Sequence, residues 1–411
     1  MLSDFTYHTL SCGLRCVHSH APGLAEVCGL TVDAGSRDEK RPEDYGLAHF
    51  VEHTIFKGTR RRRAWHILNR MEAVGGELNA YTTKESTTIY TVAPRGHCAR
   101  SLELLSDLVT DSVFPAPEIE REREVVLDEI DSYLDSPADA VYDEIDELAF
   151  RGNPLAHNIL GTDKSVKAFT GADCRRWLDE HYRPGHMVLF YSGHLPAQRF
   201  FVSAERLFAP LATRHSDTPL QRTVPGLINL PVSESRRRDS HQSHTIVAAR
   251  TGSMFSDDRY ALSLLTNILG GPGMNSLLNV ELRERRGLVY TVEASTTLYT
   301  DCGLFTIYLG CDHDDTRRCM SITRRLLTQM AEKPLSQRRL DAARRQYLGQ
   351  LALAAENHEN AAMSMGRATL YRGTVPPASE TEQRLKEVTT GDLQRVAELL
   401  LPDRLIELNI F

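Results

Sequence analysis

The sequence predicts an α+β fold of two similar domains, each a mainly antiparallel sheet with helices packed on one face. Strand-like alternation at 26–32 and 87–92 indicates two early strands. Helical spacing of apolar residues recurs between and after these strands, in the segments 43–57, 64–73, 98–112, 118–134 and 171–181. Strands interleaved with long helices are typical of a layered α+β arrangement.

The second half of the chain echoes the first, which is why two similar domains are expected. Residues 244–253 end in a strand followed by Gly-Ser, as residues 30–36 do. The Tyr-Ala-Leu of 260–262 then parallels the Tyr-Gly-Leu of 45–47. A repeat of this kind predicts that one sheet-and-helix unit is present twice.

A proline-rich stretch separates the two halves. It has few periodic runs and carries prolines at 210, 219, 225 and 231. Such composition is typical of a connection between domains. We therefore predict an N-terminal domain at 1–208, a linker at 209–240 and a C-terminal domain at 241–411.

Composition excludes several classes of protein. The chain has 411 residues, 41% of them hydrophobic and 25% charged, as expected of a soluble globular protein. A formal charge of −7 gives no basic footprint for nucleic acid. The eight cysteines are irregularly spaced without a C-x-x-C pair, which indicates free thiols in a reducing compartment. Residues 1–7 lack the features of a signal peptide, and no apolar run spans a membrane, so we expect a cytoplasmic protein without membrane partners.

The segment His49-Phe50-Val51-Glu52-His53 carries the strongest chemical signal. Positions i and i+4 lie on one face of a helix, so both imidazoles can reach one metal ion, with Glu52 close enough to act on its water. The alternative is a helix with two partly exposed histidines and a solvated glutamate. Apolar neighbours argue against that alternative, because they indicate a buried helix whose polar groups need partners, namely Leu47, Ala48, Phe50, Val51, Ile55 and Phe56.

A catalytic zinc site needs a third protein ligand and leaves one position for water. The acidic helix at 118–130, which follows two prolines, is the best source. Glu122 and Glu129 are seven residues apart and share a face, but periodicity does not choose between Glu122, Glu124 and Glu129. Any one of them is also explained as an exposed helical charge.

The segment Gly46–Thr59 resembles the active-site helix of the pitrilysin (insulinase-like) zinc peptidases, also called inverted zincins. The resemblance implies one Zn²⁺ per chain, bound by His49, His53 and Glu129, which follows His53 by the family's spacing of 76 residues. It also implies that Glu52 is the general base and that Glu122 assists from behind the ligands.

Other segments resemble further parts of the family. Residues 75–82 resemble the strand that pairs with the substrate backbone, with Asn79 and Ala80 at the matching positions, although Gly75-Gly76 alone indicates only a turn before a strand. Residues 154–162 and 182–188 resemble structural landmarks. We interpret their histidines as packing or surface residues rather than ligands, namely His157 and His186.

In the second half, residues 282–290 resemble an element that projects an arginine and a tyrosine into the active site, here Arg283 and Tyr290. These groups would anchor substrate and stabilise an oxyanion. Without the resemblance, the same residues indicate a charged helix end followed by a strand with Tyr290 in the core. In the register of the repeat, the positions of the metal ligands and base hold Leu264, Asn267 and Ile268, so the second domain is expected to bind no metal.

The resemblance implies a zinc endopeptidase of half-length form, related to the catalytic subunit of mitochondrial processing peptidase. The glycine-rich element 270–274 is shorter than that of the non-catalytic subunit, which argues against that identity. We expect a homodimer that encloses unfolded peptides in a clamshell chamber. Two alternatives remain: a structural or assembly subunit of the same fold, as in respiratory-complex core proteins, or a catalytic subunit that needs an unlike partner, such as an inactive homologue.

Overall fold

A computed structural model describes residues 5–214 and 220–411. Residues 1–4, at the start of the predicted first domain, and 215–219, within the predicted linker, lie outside the described residues. The strands are β1 (Phe5–Thr9), β2 (Arg15–His20), β3 (Ala25–Val32), β4 (Glu77–Thr82), β5 (Thr87–Pro94), β6 (Met187–Gly193), β7 (Val232–Arg236), β8 (Ser243–Thr251), β9 (Val289–Leu298), β10 (Gly303–Cys311) and β11 (Ile406–Ile410). The α-helices are α1 (Leu47–Ile55), α2 (Ala64–Glu72), α3 (Cys98–Asp111), α4 (Ala116–Leu134), α5 (Pro137–Ala149), α6 (Asp163–Ala168), α7 (Gly171–His181), α8 (Ala197–Phe208), α9 (Arg259–Gly270), α10 (Thr316–Glu332), α11 (Gln337–Ala354), α12 (His358–Arg372), α13 (Ala378–Glu387) and α14 (Thr390–Ala397).

The chain forms two compact units, and neither is continuous in sequence. The first unit comprises Met1–Ile130, His157–Arg222 and Leu353–Pro377. The second comprises Asp131–Ala156, Thr223–Ala352 and Ala378–Phe411. The domain boundaries predicted from the sequence are continuous segments, whereas these units exchange two helical segments, so that α5 belongs to the second unit and α12 to the first.

The two sheets share one five-strand pattern, to which the first sheet adds the edge strand β1. In the first unit the strand order is β1-β2-β6-β3-β5-β4, with β2 and β6 parallel and the other neighbours antiparallel. In the second unit the order is β7-β11-β8-β10-β9, with only β7 and β11 parallel. The predicted fold class of two similar, mainly antiparallel α+β domains is confirmed.

The central strands β3 and β6 are buried along nearly their whole length because both faces of the first sheet are covered. On the main face, α1, α3, α7 and α8 contribute to one large core with the strands. The other face packs against α12, where Val17, Val188 and Phe190 contact Ala362 and Met365. In the second unit, α5 covers the corresponding face of β8 and β11. The predicted helical layer on one face is therefore accompanied by a single helix on the other.

None of the helices in the described parts of the chain combines the length and apolar character that crossing a bilayer requires. All eight cysteines are free thiols, and seven of them are buried. The burial of most thiols is explained by core packing, since cysteine behaves as a small apolar residue.

Candidate metal centre and catalytic site

Helix α1 carries the first three candidate residues of the site. It begins at Leu47, directly after Gly46, whose φ of 93° is a left-handed conformation that favours glycine. The predicted helix at 43–57 is therefore shortened at its start, where Pro42–Asp44 forms a separate 3-10 turn. A Cβ at Gly46 would lie 2.5 Å from the carbonyl oxygen of Leu160, so this position also depends on close backbone packing.

The apolar face of α1 fixes the helix in the core. Phe50, Val51 and Ile55 are fully buried there. His49 is 7% exposed, and His53 is half-buried on the side that meets α4. The expectation that the flanking residues bury this helix is confirmed.

Helix α4 brings Glu129 to the two histidines. Glu129 Oε2 lies 3.8 Å from His49 Nε2 and 3.5 Å from His53 Nε2. One ligand atom from each residue lies within 4.8 Å of the others. Zinc bound tetrahedrally at about 2.0–2.2 Å from nitrogen and oxygen needs donors at about this separation. Two imidazoles and one carboxylate also form the donor set of catalytic zinc sites with an open fourth position, so the residues fit the ion.

Glu122 lies behind this donor set. Its Oε2 is 3.4 Å from His53 Nδ1, and its Oε1 is 2.7 Å from Lys57 Nζ. Burial raises the pKa of Glu122, but the hydrogen bonds from His53 and Lys57 outweigh it and lower the pKa overall. A carboxylate that accepts from Nδ1 leaves Nε2 of the same ring free for a metal. The geometry thus places Glu129 among the clustered donors and Glu122 behind them. Periodicity had left the choice between these glutamates open.

Glu52 points toward the end of strand β4, where Thr82 Oγ1 donates a 2.5 Å hydrogen bond to its Oε2. Burial raises the pKa of Glu52, although the Thr82 hydrogen bond and His53 act against this shift. Burial, followed by the neighbouring charge of His53, lowers the pKa of His49 to about 3. His49 is therefore neutral near pH 7, as a metal ligand must be.

His53 is subject to opposing effects. Burial lowers its pKa, but the Glu122 hydrogen bond and the charges of Glu129, Glu52 and Glu122 raise it overall. Several carboxylates around one imidazole form an electrostatic environment that favours a cation. A divalent metal at the Nε2 side would meet this requirement without protonation of the ring.

Asn79 and Ala80 lie on β4, the edge strand of the first sheet. Among the described strands, β4 pairs only with β5, with Ala80 opposite Ile89. Asn79 is exposed and Ala80 half-buried. An unpaired strand edge can accept an extended peptide as an additional strand. The same strand supplies Thr82 to Glu52, so the edge and the candidate base are joined by one element.

Arg283 and Tyr290 belong to the second unit. Arg283 is exposed on a π-helical segment, Asn279–Glu284. Tyr290, near the start of β9, is 58% exposed and donates a 3.2 Å hydrogen bond to Asp312. The alternative that placed Tyr290 in the core is wrong.

Sequence reasoning did not identify Lys57, Thr82 or Glu39 as part of the environment of this site. Lys57 and Thr82 lie in segments that resemble the family, but their residue types gave no separate signal. Glu39 accepts hydrogen bonds from the start of α1, and nothing in the periodicity around it indicates this contact. His157, interpreted as a packing or surface histidine, is largely buried, and its Nε2 lies against Glu39.

The duplicated α+β fold, the two histidines of the H-x-x-E-H helix α1 and the glutamate of α4 match the pattern of the inverted zinc peptidases. Comparison with known proteins agrees. Residues 17–163 match Insulinase (Peptidase family M16), and residues 168–347 match the Peptidase M16 inactive domain. The chain belongs to this insulinase-like M16 family, as the sequence resemblance predicted.

Relatives of similar length match nearly the whole chain. An uncharacterized zinc protease of Streptomyces coelicolor is 32% identical over 402 residues, covering 96% of this chain and 87% of the relative. One from Bacillus subtilis is 28% identical over 390 residues, covering 95% and 93%.

Solved structures confirm the fold. A protease from Helicobacter pylori has a TM-score of 0.90 at 19% identity, covering 100% of both chains. A Pseudomonas fluorescens structure described as a peptidase M16 inactive domain has a TM-score of 0.88 at 20% identity, covering 99% of this chain and 98% of that one.

Proposed function

We propose that this chain is a zinc metalloendopeptidase that cleaves unfolded peptides inside a clamshell chamber. The observation that carries the proposal is the convergence of His49, His53 and Glu129 around one point, with Glu52 on the same helix. The relatives named as zinc proteases support the choice of metal. A scaffold subunit would have no need of this complete donor set.

In this proposal, His49, His53 and Glu129 hold the ion, and Glu122 orients the ring of His53. When bound, zinc would supply a Lewis acid that activates water and polarises the scissile carbonyl. Glu52 accepts the proton of the attacking water and delivers it to the leaving amine. The Thr82 hydroxyl orients the Glu52 carboxylate, and the free edge of β4 at Asn79 and Ala80 holds the peptide extended.

Metal removal tests the proposal directly. We expect the purified chain to cleave an unfolded peptide, to lose this activity after chelation, and to regain it with one zinc per chain. Metal content and peptide products should be measured on the same samples. Cleavage at an unchanged rate by metal-free protein would rule out the proposed chemistry. A chain that binds one zinc but cleaves nothing alone would favour a non-catalytic role or the need for an unlike partner.

We further propose a homodimer in which Arg283 and Tyr290 act on the zinc site of the partner. Support comes from their resemblance to the family element and from their exposure on the second unit. In a two-fold dimer, each of two equivalent sites would combine the metal ligands of one chain with the arginine and tyrosine of the other.

A complementation experiment tests whether Arg283 and Tyr290 act on the zinc site of the other chain. Glu52→Gln and the double variant Arg283→Ala/Tyr290→Phe are each expected to be inactive. After subunit exchange at equal amounts, half of the dimers are mixed and each has one complete site, so about a quarter of wild-type activity should return. Failure to recover activity, with mixed dimers shown to be present, would mean that the pair acts within its own chain or has only a structural role.

A cytoplasmic location is also proposed. It is supported by the eight free thiols, since a protein of an oxidising compartment rarely keeps so many cysteines reduced.

A further inference from the structure

Glu39 caps the helix that carries the candidate metal ligands. Its side chain is fully buried. The backbone N–H of Gly46 donates to Oε2 at 2.9 Å, and that of Ala48 donates to Oε1 at 2.8 Å. The first N–H groups of a helix have no partner within the helix, and the N-cap residue here, Gly46, has no side chain to accept them. A glutamate seven residues earlier in the chain supplies the missing acceptor.

His157 in turn holds Glu39. Its Nε2 lies 2.8 Å from Glu39 Oε2, and in the tautomer with the proton on Nε2 the imidazole donates to this carboxyl group. The imidazole stacks on Tyr45, the residue before Gly46, at 3.8 Å between ring centroids and 5° between planes. Lys84 Nζ donates to the carbonyl oxygen of His157 at 2.6 Å, which fixes the backbone of that residue.

The backbone approaches this cluster closely. Gly161 has a φ of 80°, and a Cβ at this position would lie 2.2 Å from the carbonyl oxygen of Tyr45. Ser165 donates to the same carbonyl oxygen at 2.6 Å. The start of α1 is therefore held from two sides, by Glu39 on its amides and by the segment that follows His157.

We propose that Glu39 is a positioning residue for the metal centre, and that His157 orients it. His49 is the third residue of α1, directly after Ala48, so a loss of hydrogen bonds at this end displaces His49 before it affects His53. A ligand displaced from the donor set weakens metal binding even when the fold is intact. This inference rests on the proposed zinc-dependent function and adds two residues to it that do not touch the ion.

The first unit contains a matched control. Glu26 is also a buried glutamate, 2% exposed, and it accepts a 2.6 Å hydrogen bond from the N–H of His97, at the start of α3. Tyr191 also donates to it, at 2.8 Å. Helix α3 carries none of the candidate site residues. Glu39→Gln and Glu26→Gln therefore remove the same kind of interaction, but only the first concerns the metal centre.

The experiment measures zinc affinity by chelator competition, and amide hydrogen exchange in the metal-free protein. Glu39→Gln is expected to weaken zinc binding by about 10–100-fold and to accelerate exchange at residues 46–50. Glu26→Gln should leave zinc affinity within about twofold while accelerating exchange at the start of α3. The inference is overturned if folded Glu39→Gln binds zinc as tightly as wild type, or if both variants lose affinity equally.

A second pair of variants decides the matter even if Glu39→Gln fails to fold. His157→Gln keeps an N–H donor for Glu39 and should retain zinc affinity, whereas His157→Leu removes the donor and should weaken binding. Equal affinities in the two would overturn the role of His157. Absence of zinc binding by the wild type would instead overturn the proposed function, and the metal-positioning role with it.

Discussion

Glu52→Gln is expected to keep one zinc per chain and to lose peptide cleavage by about 10²–10⁴-fold, the usual contribution of a general base. The amide cannot accept the proton of the attacking water. It can still accept the hydrogen bond from Thr82, so the local geometry should be preserved. Because Glu52 is not among the three clustered donors, zinc should remain bound.

Zinc content and turnover should be measured on one preparation, beside Glu124→Gln as a control. Glu124 is exposed on α4 and is not among the three clustered donors, so its loss should change neither quantity. Cleavage by Glu52→Gln near the wild-type rate would show that another group acts as the base.

The second large effect concerns metal binding. His49→Ala, His53→Ala and Glu129→Gln should each lose zinc, because each removes one of the three donors. Glu122→Gln should weaken affinity by only about 10–100-fold, since Glu122 reaches the centre through His53 Nδ1.

Metal per chain after dialysis against a weak chelator separates these cases. Glu124→Gln again serves as a control, because it removes a carboxylate from the same helix without touching the centre. The reverse order, with zinc retained in Glu129→Gln and lost in Glu122→Gln, would show that the two glutamates have been assigned the wrong roles.

Much of the fold was predictable because strong local patterns define it. The predicted helices at 64–73, 98–112, 118–134 and 171–181 agree with α2, α3, α4 and α7 to within about two residues. The predicted start of α1, at residue 43, was wrong because Gly46 adopts a left-handed conformation that apolar spacing does not reveal.

The remaining features depend on contacts between distant residues. Periodicity predicts that a segment is helical, but not which sheet it covers, so the exchange of α5 and α12 between the units was not foreseen. Similarly, spacing gave three possible third ligands on α4, and only the family resemblance and then the geometry favoured Glu129. Glu39 was missed because a single acidic residue in a loop gives no pattern.

The position of α12 has a consequence for how this protein is made. Val188 and Phe190 of the first sheet are fully buried, and Met365 of α12 lies in the same cluster. During synthesis, the apolar strip formed by Val188 and Phe190 stays uncovered until residues 358–372 have left the ribosome. By then the whole of α5 and most of the second unit have already been made. The unit that carries the candidate zinc site is thus completed late, and a fragment ending at residue 208 would present the strip to solvent. The second half of the chain therefore supplies one helix of the first unit, α12.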